Sequence, residues 1–279
     1  MIMYSGINIF AKNLDGSEIE NRLSISSGIE PVFGIASSGL NYAHNTYKPQ
    51  KPWRKLSKED GKKLFSANNI KQIFSNIAII GKDEKFARQL ETFKLHEKIA
   101  SREDFLIFQK MELVSLNKLC KIIDDYMKSF CQIYERKTSN LFIVSKPNCE
   151  ILTIDDITQE HVGMHIDSWD KREILETGEA DNRICFNLGK RDRYFLFINL
   201  PVKKIYYLVS KKQRIPEVYN QNILCRDFMR LYPNYKVIKV RIKPYEAYIA
   251  PTENIIHDGC TEGNMGVDFT CTVRGKFWI

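Results

Sequence analysis

A histidine and an aspartate two positions apart, His165 and Asp167, and a later histidine, His257, have the types and spacing of metal ligands. In a strand, residues i and i+2 share a face, and a rise of ~3.3 Å per residue places their Cα atoms roughly 6.6 Å apart. A His-x-Asp triplet alone is weak evidence, because this composition produces one by chance roughly 0.3 times. His257 follows a predicted strand, Glu246 to Ile249, which can return it to the first pair.

The three side chains taken together are suited to some metals more than to others. Two neutral imidazoles and one carboxylate on one face of a metal leave three positions open, which suits non-haem Fe(II) oxygen chemistry. Zinc is the competing metal, because a hydrolase can use the same set with one bound water. His161 lies on the same predicted face, but four strand residues separate it from His165 by roughly 13 Å. We therefore expect His165, Asp167 and His257 to be the ligands.

The last predicted strand carries a polar face made of Asp268, Thr270, Thr272 and Arg274. Arg274 follows His257 by seventeen residues. A guanidinium group matches a carboxylate in two-point contact, so Arg274 could bind an anionic group, with a hydroxyl from Thr272 or Thr270 beside it.

Arg183 and Asn187 share a face of an earlier predicted strand and are the second candidates for binding a co-substrate or substrate. An exposed strand-edge arginine and a structural turn residue are equally good interpretations of these two positions.

The loop from Ser168 to Asp181 directly follows the first two ligands and contains Trp169 and Asp170. Loops beside rigid strands commonly contact substrates, so this loop is predicted to act as a lid, with Trp169 and Asp170 as substrate contacts. Packing of Trp169 beneath the loop is the alternative.

The elements that must position these residues are predicted from hydrophobic periodicity. Residues 51–136 show helical spacing, for example at Ile70, Ile73 and Phe74. The segment before them, through Gln50, is predicted to add a strand or loop layer. We therefore expect a largely helical N-terminal extension over 1–140, packed on a core over 141–279 as one integrated domain.

The core is predicted to be mainly β, since eight short runs rich in β-branched and aromatic residues follow one another there. The predicted strands are Leu141 to Val144, His161 to Asp167, Arg183 to Leu188, Tyr194 to Asn199, Lys204 to Val209, Lys236 to Ile242, Glu246 to Ile249 and Val267 to Phe277. Eight is the strand number of a jelly roll. A helix is predicted over Asn222 to Leu231.

Composition narrows the class of protein. Hydrophobic residues make up 43% and charged residues 27% of the 279 residues, as in soluble globular proteins. No apolar run approaches the roughly 20 residues of a membrane span, and the N-terminus lacks a secretory signal, so a cytoplasmic location is expected. The seven scattered cysteines are expected to be reduced. The net charge of +8 is dispersed without a nucleic-acid-binding motif, which makes nucleic acid an unexpected partner.

The order of His165-Ile-Asp167, His257 and a basic residue on a terminal strand resembles the Fe(II)/2-oxoglutarate-dependent oxygenase superfamily over about residues 141–279. The resemblance implies a double-stranded β-helix, with 2-oxoglutarate chelating the iron and an arginine or lysine pairing with its C5 carboxylate. Arg274 is the candidate for that pairing and Arg183 the alternative, while Asn187 could bind the C1 carboxylate. Related halogenases have a small residue where Asp167 stands, so Asp167 implies hydroxylation.

The sequence surrounding the ligands suggests a substrate class. His-x-Asp-Ser-Trp-Asp and Pro-Thr-Glu-Asn-x-x-His-Asp-Gly resemble segments of bacterial oxygenases that hydroxylate amino acids, free or within a peptide. The resemblance implies Fe(II), 2-oxoglutarate and O2 as cofactor and co-substrates, and natural-product biosynthesis as the setting. Three alternatives remain: an oxidative demethylase of nucleic acid, a cupin-like metalloenzyme that does not use 2-oxoglutarate, and a non-catalytic binding module.

Overall fold

The computed structural model describes residues 3–65 and 74–279, so the predicted helical positions Ile70 and Ile73 lie outside the described residues. The strands are β1 (Ile9–Lys12), β2 (Leu23–Ile25), β3 (Gly28–Pro31), β4 (Tyr42–Gln50), β5 (Arg54–Lys55), β6 (Ile77–Ile80), β7 (Gln132–Arg136), β8 (Leu141–Ser145), β9 (His161–Gly163), β10 (Asn182–Asn187), β11 (Arg193–Phe197), β12 (Ile238–Ile242), β13 (Ala247–Ala250), β14 (His257–Cys260) and β15 (Asp268–Trp278). The helices are α1 (Gly16–Glu20), α2 (Lys58–Leu64), α3 (Glu84–Glu91), α4 (Leu95–Lys98), α5 (Arg102–Met111), α6 (Leu113–Phe130), α7 (Val202–Ser210) and α8 (Gln221–Leu231), with a 3-10 helix at Ile174–Glu179.

Three sheets make this a mixed α/β structure that is mostly sheet. The largest has seven strands in the order β1-β6-β13-β10-β15-β7, with β8 also paired to β15. The second has the order β14-β11-β12-β2-β5, and the third has the order β3-β4-β9. The strands form a curled half-barrel, and within the described ranges no sheet closes into a barrel.

The seven-stranded sheet separates two hydrophobic clusters, because successive residues of a strand point to opposite faces. On β10, Ile184 and Phe186 pack with the helical layer that includes α3 and α6, while Cys185 faces the cluster that also contains β11, α7 and α8. Full burial of a side chain the size of Phe186 contributes about 1.5–3 kcal/mol. In the part of the chain that the structure describes, no helix is long and apolar enough to cross a membrane.

The polar face predicted for the last strand points into the molecule. Asp268, Thr270 and Thr272 of β15 are all buried. Asp268 accepts a hydrogen bond from Arg193 Nε of β11, at 3.1 Å, which ties the seven-stranded sheet to the five-stranded one. Polar residues on this face therefore lie between the two sheets.

The first half of the chain contributes strands to both large sheets. β6 pairs with β13 and carries β1 on its other edge, while β2 pairs with β12 and carries β5. The predicted layer before Gln50 is accordingly built of strands β1–β4. The predicted helical stretch over 51–136 contains α2–α6 but also β5, β6 and β7, so it is only partly helical.

Six of the eight predicted core strands are confirmed as β8, β10, β11, β12, β13 and β15, and the helix over Asn222 to Leu231 is confirmed as α8. The predicted strand Lys204 to Val209 is wrong, because this segment lies in α7. Its β-branched and aromatic composition favours a strand, but the buried residues Val202, Ile205 and Val209 follow helical spacing. β14 was not predicted as a strand, since His-Asp-Gly-Cys has no β-rich composition.

The predicted strand His161 to Asp167 is shorter in the structure, because β9 ends at Gly163. Gly163 has a φ of +69°, a conformation that residues with a side chain rarely adopt. A Cβ atom at this position would also lie 2.4 Å from Tyr47 O. The turn at Gly163 directs His161 away from the later ligands, and His161 Nε2 instead lies 2.7 Å from Ser38 Oγ.

Candidate metal centre

Backbone hydrogen bonds hold the two ligand-bearing segments side by side. His165 N donates to His257 O at 3.0 Å, and His257 N donates to His165 O at 2.8 Å, as in an antiparallel pair. Two residues further, Asp167 N donates to Thr252 O at 3.1 Å. β14 and the extended segment after β9 therefore present all three predicted ligands from neighbouring backbones.

His165, Asp167 and His257 offer donor atoms that all lie within 4.8 Å of one another, an arrangement that could hold a metal ion. His165 Nε2 lies 3.4 Å from Asp167 Oδ1, and His257 Nε2 lies 3.9 Å from Asp167 Oδ2. Nitrogen and oxygen ligands bind first-row metals at about 2.0–2.2 Å, so adjacent donors around one ion lie about 3 Å apart. Shifts of less than about 1 Å would bring these donors to metal-binding distances.

Both imidazoles are oriented with Nε2 toward the carboxylate. His165 Nδ1 lies 2.8 Å from Gly163 O, and His257 Nδ1 lies 3.3 Å from Ile255 O. A carbonyl oxygen only accepts, so each Nδ1 carries the proton and each Nε2 keeps its lone pair. Such outer hydrogen bonds commonly orient metal-binding histidines.

The electrostatics keep His257 neutral and Asp167 charged. Burial and the neighbouring His165 lower the pKa of His257 to about 3. Burial raises the pKa of Asp167, but the charge of Arg183 outweighs this effect and holds the pKa well below its usual value. Burial lowers the pKa of His165, whereas the neighbouring Asp167 carboxylate raises it, and the net shift is upward.

One carboxylate oxygen of Asp167 also bears on whether these residues fit a cation. Asp167 Oδ2 is buried and receives no hydrogen bond from the residues that the structure describes. Arg183 Nη2 lies 2.9 Å from it, but without hydrogen-bonding geometry. The ion pair with Arg183 offsets the charge of this oxygen but leaves it a lone pair that could bind a divalent cation between the three side chains. The donor set therefore fits a metal.

The interior beside the metal ligands is aromatic. The Phe195 ring centroid lies 5.9 Å from that of His257 and 4.5 Å from that of Tyr248, on which it stacks. Further along β14, a Cβ atom at Gly259 would lie 3.2 Å from Arg193 Nη2. His257 and Gly259 share a face of β14, so Arg193 lies on the same side of this strand as His257, two residues further along it.

Arg193 is a buried arginine that was not predicted as a site residue. Its Nε hydrogen-bonds Asp268, and its Nη1 lies 3.2 Å from Cys185 Sγ and 3.5 Å from Tyr248 Oη. The charge of Asp268 outweighs the effect of burial and holds the pKa of Arg193 above its usual value. The available signal was alternation with Phe195 and Phe197, but the predicted strand began at Tyr194 and left Arg193 out.

The other predicted site residues separate into two groups. Arg183 lies beside Asp167, and Thr272 is buried on the inner face of β15. Asn187 lies at a turn, where its Nδ2 donates to Arg191 O and Ile242 O and its Oδ1 accepts from Gly189 N, so its hydrogen-bonding groups are engaged in structure.

Arg274 lies with the predicted substrate contacts. Its Nη2 donates to Asp170 Oδ1 at 2.6 Å and to Glu253 Oε1 at 2.9 Å. The guanidinium carbon lies 5.6 Å from the centre of the Trp169 ring. Ile166, Asp167, Ser168 and Trp169 line an open hollow of about 230 Å³. Arg274 therefore belongs to the mouth of the site.

The geometry thus gives a buried three-residue cluster that could hold a metal ion, an aromatic interior with a buried arginine, and a charged mouth. Comparison of the chain with protein-family models, curated proteins and solved structures found no match.

Proposed function

We propose that this chain is an Fe(II)- and 2-oxoglutarate-dependent oxygenase that hydroxylates a C–H bond of an amino acid, free or within a peptide. The observation that carries the proposal is the cluster of His165, Asp167 and His257, whose donor atoms lie within 4.8 Å of one another. Two imidazoles and one carboxylate leave three metal positions open for co-substrate and oxygen, as oxygenase chemistry requires.

Strand connectivity supports a double-stranded β-helix as the core. The proposed core strands, in chain order, are β8, the segment at His165, β10, β11, β12, β13, β14 and β15. Numbered one to eight, they occur in the orders 1-8-3-6 and 2-7-4-5 in two facing layers. This exchange of strands between two layers is the connectivity of a jelly roll. In this proposal the N-terminal strands extend the two layers.

The chain would bind iron through His165 Nε2, His257 Nε2 and the Asp167 carboxylate. The bound metal would supply the activation of O2 that drives oxidation of the substrate. The protein's own part is to orient Nε2 of both imidazoles toward the metal, through the Nδ1 hydrogen bonds to Gly163 O and Ile255 O. The apolar wall of Phe195 excludes water from the interior beside His257.

Three arginines are candidates for the C5 carboxylate of 2-oxoglutarate. Arg274 and Arg183 are the sequence-based candidates, and Arg193 is added by its position in the interior. We favour Arg193, because Arg274 already donates to two carboxylates at the mouth and Arg183 faces Asp167. Arg193 Nη2 lies beside Gly259, inward from His257, and has no hydrogen bond to any described residue.

The test is succinate formation from 2-oxoglutarate in the presence of Fe(II) and ascorbate. His165→Ala, Asp167→Ala and His257→Ala are each expected to lower the rate by at least about 100-fold, because each removes a metal ligand. His44→Ala is the matched control, since His44 is an exposed histidine of β4. Equal succinate formation by wild type and the three ligand variants would reject the proposed centre. Metal binding without succinate formation would favour the cupin-like alternative.

A further inference from the structure

Three carboxylates gather around one arginine at the mouth of the proposed metal centre, and we call Asp170, Asp181 and Glu253 the acidic cluster. Asp170 is its hub: Asp170 Oδ2 accepts from Asp181 N at 2.9 Å, and Asp170 N donates to Glu253 Oε2 at 2.8 Å. Arg274 neutralises one charge by donating to both Asp170 and Glu253. When all three carboxylates are ionised, the cluster therefore has two negative charges more than Arg274 balances.

Asp181 is the member without a partner. It is 3% exposed, and its Oδ2 is buried with no hydrogen bond from the described residues. Lys137 is near enough to influence it but forms its ion pair with Glu135, at 2.5 Å. Burial and the charge of Asp170 raise the pKa of Asp181. Native proteins rarely bury a carboxylate without a donor, so this oxygen points to a missing cationic or donor group.

The position of Asp181 connects the acidic cluster to the metal centre. Asp181 directly precedes β10 and Arg183 is the second residue of that strand, so alternation places the two on the same face. Arg183 forms an ion pair with Asp167, so the Asp181 carboxylate is placed on the side of the chain that faces Asp167, two residues closer to the mouth. Asp170 has a side chain that is 19% exposed, and it provides the accessible edge of the cluster.

We propose that the acidic cluster binds a cationic group of the substrate, an ammonium or guanidinium, and so selects substrates with a basic side chain. This inference rests on the proposed function, because it assigns a substrate to the same site. Two carboxylates in a partly desolvated place bind a cation more strongly than exposed carboxylates do. The group would contact Asp170 and Asp181, and its alkyl chain would extend toward the metal ligands.

Trp169 provides a second recognition element for the same group. Its side chain is 61% exposed, although it lines the hollow that leads to Asp167. Its ring already attracts one guanidinium, that of Arg274. An exposed indole beside uncompensated carboxylates is the combination that binds organic cations through both charge and cation–π attraction.

The net charge of +8 does not oppose a cationic substrate at this site. Screening confines interactions between exposed charges to about 8 Å at physiological ionic strength, so the local charge dominates. The two proposed binding groups of opposite charge also lie apart. The buried Arg193 lies in the interior, where an anionic co-substrate would bind, and the acidic cluster lies at the mouth, where a cation would bind.

Binding of matched amino-acid pairs tests this inference independently of turnover. Titration calorimetry on the metal-free protein would compare L-arginine with the neutral isostere L-citrulline, and L-lysine with L-norleucine. We expect each cationic member to bind at least about tenfold more tightly, since a hydrogen bond to a charged group is worth about 1.5–3 kcal/mol. Asp181→Asn is expected to remove that preference. Asp125→Asn, which removes an exposed carboxylate from α6, is the matched control and should retain it.

Asp181→Asn also has a folding readout. Replacing an unpartnered buried carboxylate with a neutral amide removes repulsion from Asp170, so Tm is expected to stay unchanged or to rise by roughly 2–4 °C. Equal binding within each pair, absence of binding by both members, or an unchanged preference in Asp181→Asn would overturn the inference. Succinate formation reports on the proposed function separately, so a chain that forms succinate without charge preference would lose only this inference.

Discussion

At the scale of single residues, the metal site depends on which atoms are left free. His165 and His257 each use Nδ1 for a carbonyl, and no described residue donates a hydrogen bond to Asp167 Oδ2. A pKa of about 3 for His257 means that this imidazole need not lose a proton to bind a metal at neutral pH. The atoms that remain for metal binding, Nε2 of each histidine and a carboxylate oxygen of Asp167, therefore lie close together in the folded chain.

Replacing the carboxylate ligand should weaken metal binding without changing the imidazoles. Asp167→Asn is expected to raise the Kd for Fe(II) by more than about 100-fold, because it removes the only anionic donor of the three. Competition with a chromophoric chelator measures this Kd under anaerobic conditions. Asp125→Asn is the control and should leave the Kd unchanged. An unchanged Kd in Asp167→Asn would exclude Asp167 as a ligand.

The three arginines can be distinguished by kinetics. Arg193→Lys is expected to raise the KM for 2-oxoglutarate by at least about tenfold, because lysine retains charge but loses the two-point contact. Arg274→Lys is expected to change this KM by less than about threefold. The converse result would restore Arg274 as the C5-carboxylate residue and assign Arg193 a structural role with Asp268.

At the scale of secondary-structure elements, a buried ion pair joins the N-terminal segment to the core. Arg22 lies directly before β2 and donates to Glu246, directly before β13, while Lys243 N donates to the same carboxylate at 2.7 Å. Arg22 and Glu246 are both buried. This contact ties the start of β2 to the turn between β12 and β13.

Removing one member of this pair should destabilise the whole fold. Glu246→Gln is expected to lower the free energy of unfolding by about 3–5 kcal/mol, since Arg22 would lose its buried partner and keep only Glu18. Urea denaturation followed by circular dichroism measures the change. Glu84→Gln, at an exposed position of α3, should change stability by less than about 0.5 kcal/mol. A similar small effect for Glu246→Gln would show that the pair does not contribute to stability.

At the scale of the whole molecule, the candidate metal ligands lie in distant parts of the chain. His165 lies just after β9 and His257 begins β14, and the two segments are joined by only a short backbone pairing. A metal bound to both would therefore act as an additional link between these two segments. It would bind the folded chain and not the unfolded one, which shifts the folding equilibrium.

Metal addition should raise thermal stability in a ligand-dependent manner. At a concentration 100 times its Kd, a metal is expected to stabilise the fold by about 2.7 kcal/mol. Differential scanning fluorimetry with Mn(II), used as a redox-stable probe, should show a higher Tm for wild type and for His44→Ala. His257→Ala should show no increase. An equal increase in His257→Ala would indicate that the ion binds elsewhere.

The sequence by itself predicted the three candidate ligands, the polar face of β15 and six core strands, because these follow from local alternation. It misassigned α7, where β-rich composition obscured helical spacing in Val202, Ile205 and Val209. Only the tertiary structure decided that β14 pairs with the His165 segment, that the polar face of β15 points inward, that Arg193 contacts Asp268, and that Asp181 Oδ2 receives no hydrogen bond from the described residues. These features depend on contacts between residues far apart in the chain, which local periodicity does not encode.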